Sequence, residues 1–466
     1  MTPQTALLAV FALCALVARP AAADDYHLQD FPVGNRAMVL GGAFTAIGND
    51  PSGVFYNPAG LVDSSRANIS VSASLYGLDR FEVEDSEAAD STLRIVPGEV
   101  GGVFTVDWER ETKRAPFAIG FTVLSPTAGE RVSLASYAEE TRRGHLVQSE
   151  SNKTIRRTSD EWLWLGLGAG WAVNDSLSLG ASAFILHRRL TVNEHITWIN
   201  SREDQFARET QEEYQADNRF YDAVSTLDAS DQSIVGVLGA KLHLKPLLLG
   251  VAVRLPGIPV RSSASARHSV FSALGGTVTA VDEVGVDPLE GSQGVRAETH
   301  LPTNVRFGIA WVRKQGSTLS CDLSMDMPLR SRRLIFDNPE LDDLFSVPNY
   351  VDRRLLINAA CGFELLLRRG LSVAVSGFTD RSAVANRLDS GSFDVKEFAG
   401  HLEDVDLYGG TLSLGMFGEH SLTRIGVAAT MGQGRMASLS VWDNTVRVYE
   451  VRRSSAYVFV ASTFRY

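Results

Sequence analysis

Apolar and polar residues alternate along most of the chain. Between Asn68 and Leu78, the side chains of Ile69, Val71, Ala73 and Leu75 share one side, and Asn68, Ser70, Ser72 and Ser74 the other. Leu177, Leu179, Ala181, Ala183 and Ile185 alternate with Ser176, Ser178, Gly180 and Ser182. The run from Leu319 to Met327 repeats the pattern, with Ser320, Asp322, Ser324 and Asp326 on its polar side. A period of two marks strands with one apolar face. It predicts strands over 68–78, 100–108, 117–124, 162–172, 176–190, 233–244, 247–255, 304–312, 317–327, 354–365, 371–378, 406–416, 421–430 and 456–466. These are about fourteen, an even number, as single-chain bacterial membrane barrels have.

The connections alternate in length. Long segments (79–99, 125–161, 191–232, 256–303, 328–353, 379–405, 431–455) are separated by short ones such as 173–175, Lys245-Pro246, 313–316, 366–370 and 417–420. Short turns on one side and long loops on the other are expected of an outer-membrane barrel, whereas a sandwich or propeller has no reason to keep that parity. The expected fold class is therefore all-β: a transmembrane antiparallel barrel of about 14 strands with long extracellular loops, notably 191–232 and 256–303. The C-terminal strand agrees. Val458, Val460, Phe464 and Tyr466 share a face and end the chain on an aromatic, the form expected for recognition by outer-membrane assembly machinery. Trp108, Trp171 and Trp311 stand at strand ends beside short turns, where an aromatic belt meets the lipid–water boundary, unless they are ordinary core residues.

Thr5–Val17 is an apolar run followed by Ala21-Ala22-Ala23, which predicts a signal peptide over 1–23 despite the absence of Lys or Arg in the first four residues. Beyond it no apolar stretch reaches the roughly 20 residues a spanning helix needs. The formal net charge of −11 argues against nucleic acid as a partner. Of the three cysteines, Cys321 and Cys361 fall in strands; a bridge requires those strands to pair, and two unpaired apolar-face cysteines are the favoured expectation. G-x-S-x-G, H-E-x-x-H, C-x-x-C and P-loop motifs are all absent, and the nine histidines lack metal-ligand spacing. His187 and His401 have no persuasive partner serine for hydrolysis. No enzyme activity, cofactor or metal is expected; the acidic run Asp337-Asn338-Pro339-Glu340 with Asp342 and Asp343 reads as a solvated loop before it reads as a calcium site.

Residues 24–67 precede the first strand without alternating, and are expected to form an N-terminal plug inside the lumen, because a fourteen-stranded barrel is too wide for wall side chains to fill. Arg36–Ile47 predicts a small-residue helix, and Asp50-Pro51-Ser52 a second helix start. The stretch G-x-R-A-M-x-x-G-G-A-F-T-A-I-x-x-D-P-S-x-x-F-Y-N-P-A-G-L resembles the hatch of FadL-type transporters of long-chain fatty acids and other hydrophobic compounds, and also that of PorV-like barrels of the type IX secretion system. Leu165–Gly180, Leu301–Trp311 and Val373–Val384 are similar to later segments of the FadL type, although Ala383 replaces its usual proline. That resemblance implies diffusive uptake of a hydrophobe: capture between the third and fourth outside loops, passage to a lumenal site, and exit through a gap at the third strand. The alternative it leaves open is a PorV-like secretion or assembly partner.

On this reading Phe206, Tyr214 and Tyr221, at helical spacing after Ser201–Asp204, supply one side of a capture groove, and Val270, Phe271 and Leu274 the other; their alternative role is packing of the loops. Trp162 and Trp164 share parity with Gly166, Gly168 and Gly170, which points them into the lumen with Phe184 as path-lining candidates; the alternative is the outer aromatic belt. Asn57, Pro58, Ala59 and Gly60 are the hatch and gating candidates, with Asn57 either tied to the wall or forming a local turn before Pro58. The expected surroundings are the lipid and lipopolysaccharide of a Gram-negative outer membrane, and the expected ligand a hydrophobic small molecule.

Overall fold

The computed structural model describes residue 27 and residues 32–64, 67–83, 89–106, 116–126, 128–143, 146–204, 219–274, 277–286, 295–297, 299–313, 316–332, 334–336, 350–368, 370–384, 401–440 and 445–465. The predicted signal peptide, Trp108, Phe206, Tyr214, the acidic run at 337–343 and Tyr466 lie outside these residues.

Fourteen strands form the wall: β1 (Ala67–Val83), β2 (Ala89–Val106), β3 (Phe117–Leu124), β4 (Leu146–Ala172), β5 (Leu177–Asp204), β6 (Arg219–Leu244), β7 (Leu247–Arg254), β8 (Asn304–Val312), β9 (Thr318–Asp326), β10 (Leu356–Arg368), β11 (Leu371–Asp380), β12 (His401–Phe417), β13 (Ser421–Ser440) and β14 (Thr445–Arg465). Each pairs antiparallel with the next, and β14 closes on β1 from Asn68↔Arg465 to Val83↔Val451. Closure pairs the backbone groups of the wall from strand to strand, which is the condition for crossing lipid with strands.

Alternation decides what each face meets. Leu165, Ile185 and Ile234 form one outward row, 42%, 55% and 47% exposed, a degree of apolar exposure that water would penalise and lipid accepts. Similar outward residues run around the wall, among them Phe104, Ile119, Ile309, Leu319, Val375, Leu412, Val427 and Phe464. Trp171 and Trp311 face outward beside the short turns, at 57% and 38% exposure, so they belong to a boundary belt and not to a core.

Among the described residues, much of the long connections is strand. β4, β5 and β6 continue well past the apolar belt, and Ala128–Arg143 and Ile258–Leu274 add strands on either side of them. Beyond Trp162, β4 runs a further stretch from Leu146 to Glu161, on the order of 50 Å at about 3.3 Å per residue. Of the helix expected near Ser201–Tyr221, residues 205–218 lie outside the described residues, and the two described ends are corrected to strand. Ser201–Asp204 ends β5, and Arg219 onward is strand, paired with β5 and with Ile258–Leu274, so backbone pairing on both sides overrides the aromatic spacing.

Cys321 and Cys361 are directly opposed on β9 and β10 and joined by a disulfide, Cα–Cα 4.1 Å. The expectation of two unpaired cysteines is thereby corrected: the register of β9 on β10 brings them together.

Residues 32–64 lie inside the barrel. They comprise α1 (Asn35–Val39), α2 (Gly53–Tyr56) and a 3-10 turn at Pro58–Asp63, nearly all buried. The predicted helix over Arg36–Ile47 is cut short after Val39, because Gly41 and Gly42 adopt φ of 66° and 89° and turn the chain back. Asp50 accepts from Ser52 N at 3.0 Å as a cap would, while the helix itself begins at Gly53.

Candidate functional site

The lumenal segment is held by wall side chains from many directions. Asp322 on β9 accepts from Phe44 N at 2.9 Å and Thr45 N at 2.8 Å. Ser182 on β5 donates to Val54 O at 2.8 Å, and Thr411 on β12 to Val39 O at 3.2 Å. Arg36 meets Glu364 on β10 at 3.1 Å; Glu364 also meets Arg424 on β13 at 2.6 Å, and Arg424 donates to Asn35 Oδ1 at 2.9 Å. Lys241 on β6 reaches both Ile47 O and Asp63, the latter at 2.8 Å, and His243 shares that carboxylate at 2.8 Å. Burial pushes the Asp63 carboxyl up, but Lys241 and His243 overcome it and hold the group below the usual carboxylate range. Asp50 goes the other way: burial raises it, despite the hydrogen bonds from Ser52 and Arg36.

Inward glycines admit this segment. A Cβ on Gly239 would lie 2.1 Å from Asn57 Oδ1, and one on Gly250 2.3 Å from Thr45 O. The glycine run of β4 serves the same end: Gly168 meets Val54, and Gly170 meets Pro58 O.

Asn57 performs both roles open to it. Its Nδ2 donates to Thr45 O at 2.8 Å and to Ala240 O in the wall at 3.1 Å. Its Oδ1 accepts from Ala59 N at 3.1 Å, capping the 3-10 turn that Pro58, Ala59 and Gly60 begin. All four candidates are buried.

Trp162, Trp164 and Phe184 face inward and are buried, as parity implies; neither tryptophan belongs to the outer belt. Trp164 and Phe184 pack edge-to-face at 5.5 Å, and both reach Phe55 of the lumenal segment, at 5.6 Å and 6.3 Å. Phe184 folds over Gly166, where a Cβ would stand 2.2 Å from its ring. Trp162 donates to Asp160 at 2.8 Å and lies 4.9 Å beneath the Arg188 guanidinium, which is itself paired with Asp160. Above this cluster the inner face of β5 continues with Leu186, Leu190, Val192, Ile196 and Trp198, all buried, and that of β6 with Leu227 and Ala223.

Of the groove candidates whose side chains are described, Tyr221 and Val270 share the inner face and Phe271 does not. Tyr221 pairs with inward Trp198, and Val270 with inward Ala223, whereas Phe271 faces outward at 37% exposure against the ring of Phe220. Leu274 lies on the same strand, and its side chain is outside the described set.

Sequence reasoning missed Arg306 on β8. Its guanidinium sits 4.8 Å from the Phe55 ring and 5.1 Å from that of Tyr56, where aromatic cluster and polar lumen meet. The signal available for it was its place two residues before Gly308 on a strand whose other side faces lipid. On the polar side Arg306 borders a cavity of about 100 Å³ shared with Arg254, Asp322, Asp326 and Asp380.

At the third strand, β2–β3 pairing ends at Glu99↔Leu124. Past Pro126 the chain resumes as Ala128–Arg143, paired to β4, while the rest of β2 pairs with β1. Beyond that point no ladder joins β2 to Ala128–Arg143 among the described residues.

The architecture defines a class: a closed fourteen-stranded transmembrane β-barrel of outer-membrane type, with its lumen filled by its own N-terminal segment. No protein-family model and no curated protein matches the chain. Solved structures do. A Pseudomonas aeruginosa FadL homologue superposes with a TM-score of 0.60 at 13% identity, covering 94% of this chain and 99% of that one. The P. putida toluene transporter TodX gives 0.53 at 12%, covering 94% and 99%, and the monoaromatic hydrocarbon channel CymD gives 0.52 at 11%, covering 93% and 98%. The fold of this chain is that of the FadL-type outer-membrane barrels.

Proposed function

We propose that the protein takes up hydrophobic molecules across the outer membrane by diffusion, with residues 24–67 acting as the hatch and no enzymatic step. The observation that carries this reading is the apolar inner stripe of β5, which descends from Trp198 through Ile196, Val192, Leu190 and Leu186 to Phe184, and there meets Trp164 and Phe55. Charged residues interrupting the stripe are paired with each other: Arg188 with Asp160 at 2.5 Å, and Arg156 with Glu194 at 3.7 Å. An apolar ligand that leaves water and parts the side chains covering this stripe gains about 25 cal/mol per Å² of its own apolar surface buried. The neighbouring structures named for toluene and hydrocarbon passage lend support.

Long-chain fatty acids are the substrate class we favour within that reading. Arg306 sets a cation at the end of the aromatic cluster, where a carboxylate head would find a charge-assisted partner while the tail stays among Phe55, Trp164 and Phe184. Beyond Glu99 and Leu124, where no ladder joins β2 to Ala128–Arg143 among the described residues, this reading places a lateral exit, and lipid, lipopolysaccharide and the assembly machinery are the surroundings it requires.

The test is uptake into proteoliposomes of a fluorescent long-chain fatty acid and, separately, of toluene. Wild type is expected to move the fatty acid, and Trp164→Ala to slow it several-fold. Arg306→Ala should slow the fatty acid and spare toluene. Wild-type protein that moves neither compound overturns transport and favours a secretion or assembly partner; equal loss of both compounds in Arg306→Ala overturns the fatty acid assignment alone.

A further inference from the structure

The lumenal segment has a polar flank as well as an aromatic one, and the polar flank holds a cavity toward each end. Toward the extended strands lies the cavity of about 100 Å³ bordered by Arg254, Arg306, Asp322 and Asp326. Three buried polar atoms of its lining, Arg254 Nε, Arg306 Nη1 and Asp322 Oδ1, have no hydrogen-bond partner among the described residues, and Arg254 is 7% exposed. Stranded donors and acceptors of this kind are costly unless something polar reaches them. Toward the short turns lies a second cavity of about 440 Å³, bordered by Arg36, Asp50, Glu364, Arg424 and Arg465. There Arg424 Nε is likewise buried without a partner.

One strand shows what divides them. On β10, the residues Asn358 and Ala360 line the first cavity, and Glu364 and Leu366 the second. Between them only Gly362 intervenes on that face, with the backbone of Leu40 resting on it: a Cβ there would lie 2.5 Å from Leu40 Cα. From Ala360 to Glu364 is four residues, about 13 Å of strand at about 3.3 Å each. Along this strand the backbone between the two cavities is the turn Leu40-Gly41-Gly42, whose two glycines hold positive φ.

We propose that this flank is a second, hydrophilic route, separate from the aromatic one and gated by the Leu40–Gly42 turn, and that it passes small hydrated ions. The lining carries both signs in both cavities, so neither cations nor anions are repelled along the whole path, and lining charge sets the preference between them. The route goes beyond hydrophobe uptake and does not depend on it.

The test is current through the purified full-length mature protein in planar bilayers under a KCl gradient. Gly362→Ala forces the Leu40 backbone off the wall, and Leu40→Ala removes the fully buried side chain of the same turn. Each is expected to raise mean conductance several-fold over wild type. Adding Asp326→Asn to either should move the reversal potential toward anions, whereas adding Trp164→Ala, on the aromatic flank, should leave it in place. If Gly362→Ala does not assemble, Leu40→Ala carries the test alone. Assembled, heat-modifiable barrels with wild-type current overturn the proposal. So does added current whose reversal potential ignores Asp326→Asn, because the ions then pass elsewhere.

Discussion

Asn57 and Ala240 are joined across the boundary between the lumenal segment and the wall: Asn57 Nδ2 donates to the Ala240 carbonyl at 3.1 Å, directly beside Gly239, which leaves the space that Asn57 occupies. The same amide holds Thr45 O and caps the Pro58 turn. Three hydrogen bonds thus end on one buried side chain. Asn57→Ala should cost about 1–3 kcal/mol of docking, since it strands two carbonyls and a backbone N–H. Hydrogen exchange of residues 40–64 should accelerate accordingly while the wall strands stay protected. Unchanged exchange in that segment would show that the amide is not a tether.

The glycine seats give a sharper steric test. Gly250→Ala places a methyl 2.3 Å from Thr45 O, in rigid backbone on both sides, and overpacking of this kind costs about 1–3 kcal/mol. Adding two methyls at Ala181, which faces outward, meets only lipid. Limited proteolysis of the assembled barrel should therefore cut the lumenal segment faster in Gly250→Ala and not in Ala181→Val. Equal rates in the two variants would contradict the seat.

The bridge between Cys321 and Cys361 predicts a linked pair of peptides, one from each strand, when the protein is alkylated and digested without reductant. Both cysteines are on the outward face of paired strands. Replacing the pair by serine should lower the unfolding midpoint, with a cost of about 2–4 kcal/mol for a bridge of ordinary strength. Separately alkylated peptides from unreduced protein would refute the bridge.

Where the sequence was legible, the reason is physical. Each wall strand crosses lipid with one face and so must alternate; β3 and β8 span the predicted 117–124 and 304–312 residue for residue. Lys245-Pro246 and Val173-Asn174-Asp175 announce the short turns. The upper half of β4 is different. Thr154, Arg156, Thr158 and Asp160 alternate with Ile155, Arg157 and Ser159, so neither face is apolar and a period of two has nothing to register. Backbone pairing to β5 and Ala128–Arg143 specifies it as strand, and that is information held by distant segments. The candidate site divides in the same way. Parity alone turns Trp162 and Trp164 inward, but Phe55 and Arg306 join them only because the segment before β1 folds back into the lumen. The cysteines follow suit, since their pairing depends on the register of β9 against β10.

The Asp63 cluster carries a prediction in pH. Asp63 is ionised between Lys241 and His243, and its folded value is depressed below that of the unfolded chain. A depressed carboxyl contributes stability that is fully present above the unfolded value, near 4, and is lost only as pH falls through the folded one. Docking of residues 58–64 should therefore be flat from neutral pH down to about pH 4 as far as this group is concerned, and weaken only in stronger acid. Lys241→Met removes the main opposing charge and leaves burial to push the carboxyl back up. The folded and unfolded values then approach each other, so two changes should appear together: weaker docking at neutral pH and a shallower loss in acid. Exchange protection of residues 58–64, compared between wild type and Lys241→Met from about pH 7 to about pH 2, reads both. Parallel pH curves for the two proteins, offset or not, would show that Lys241 does not act through the charge of Asp63.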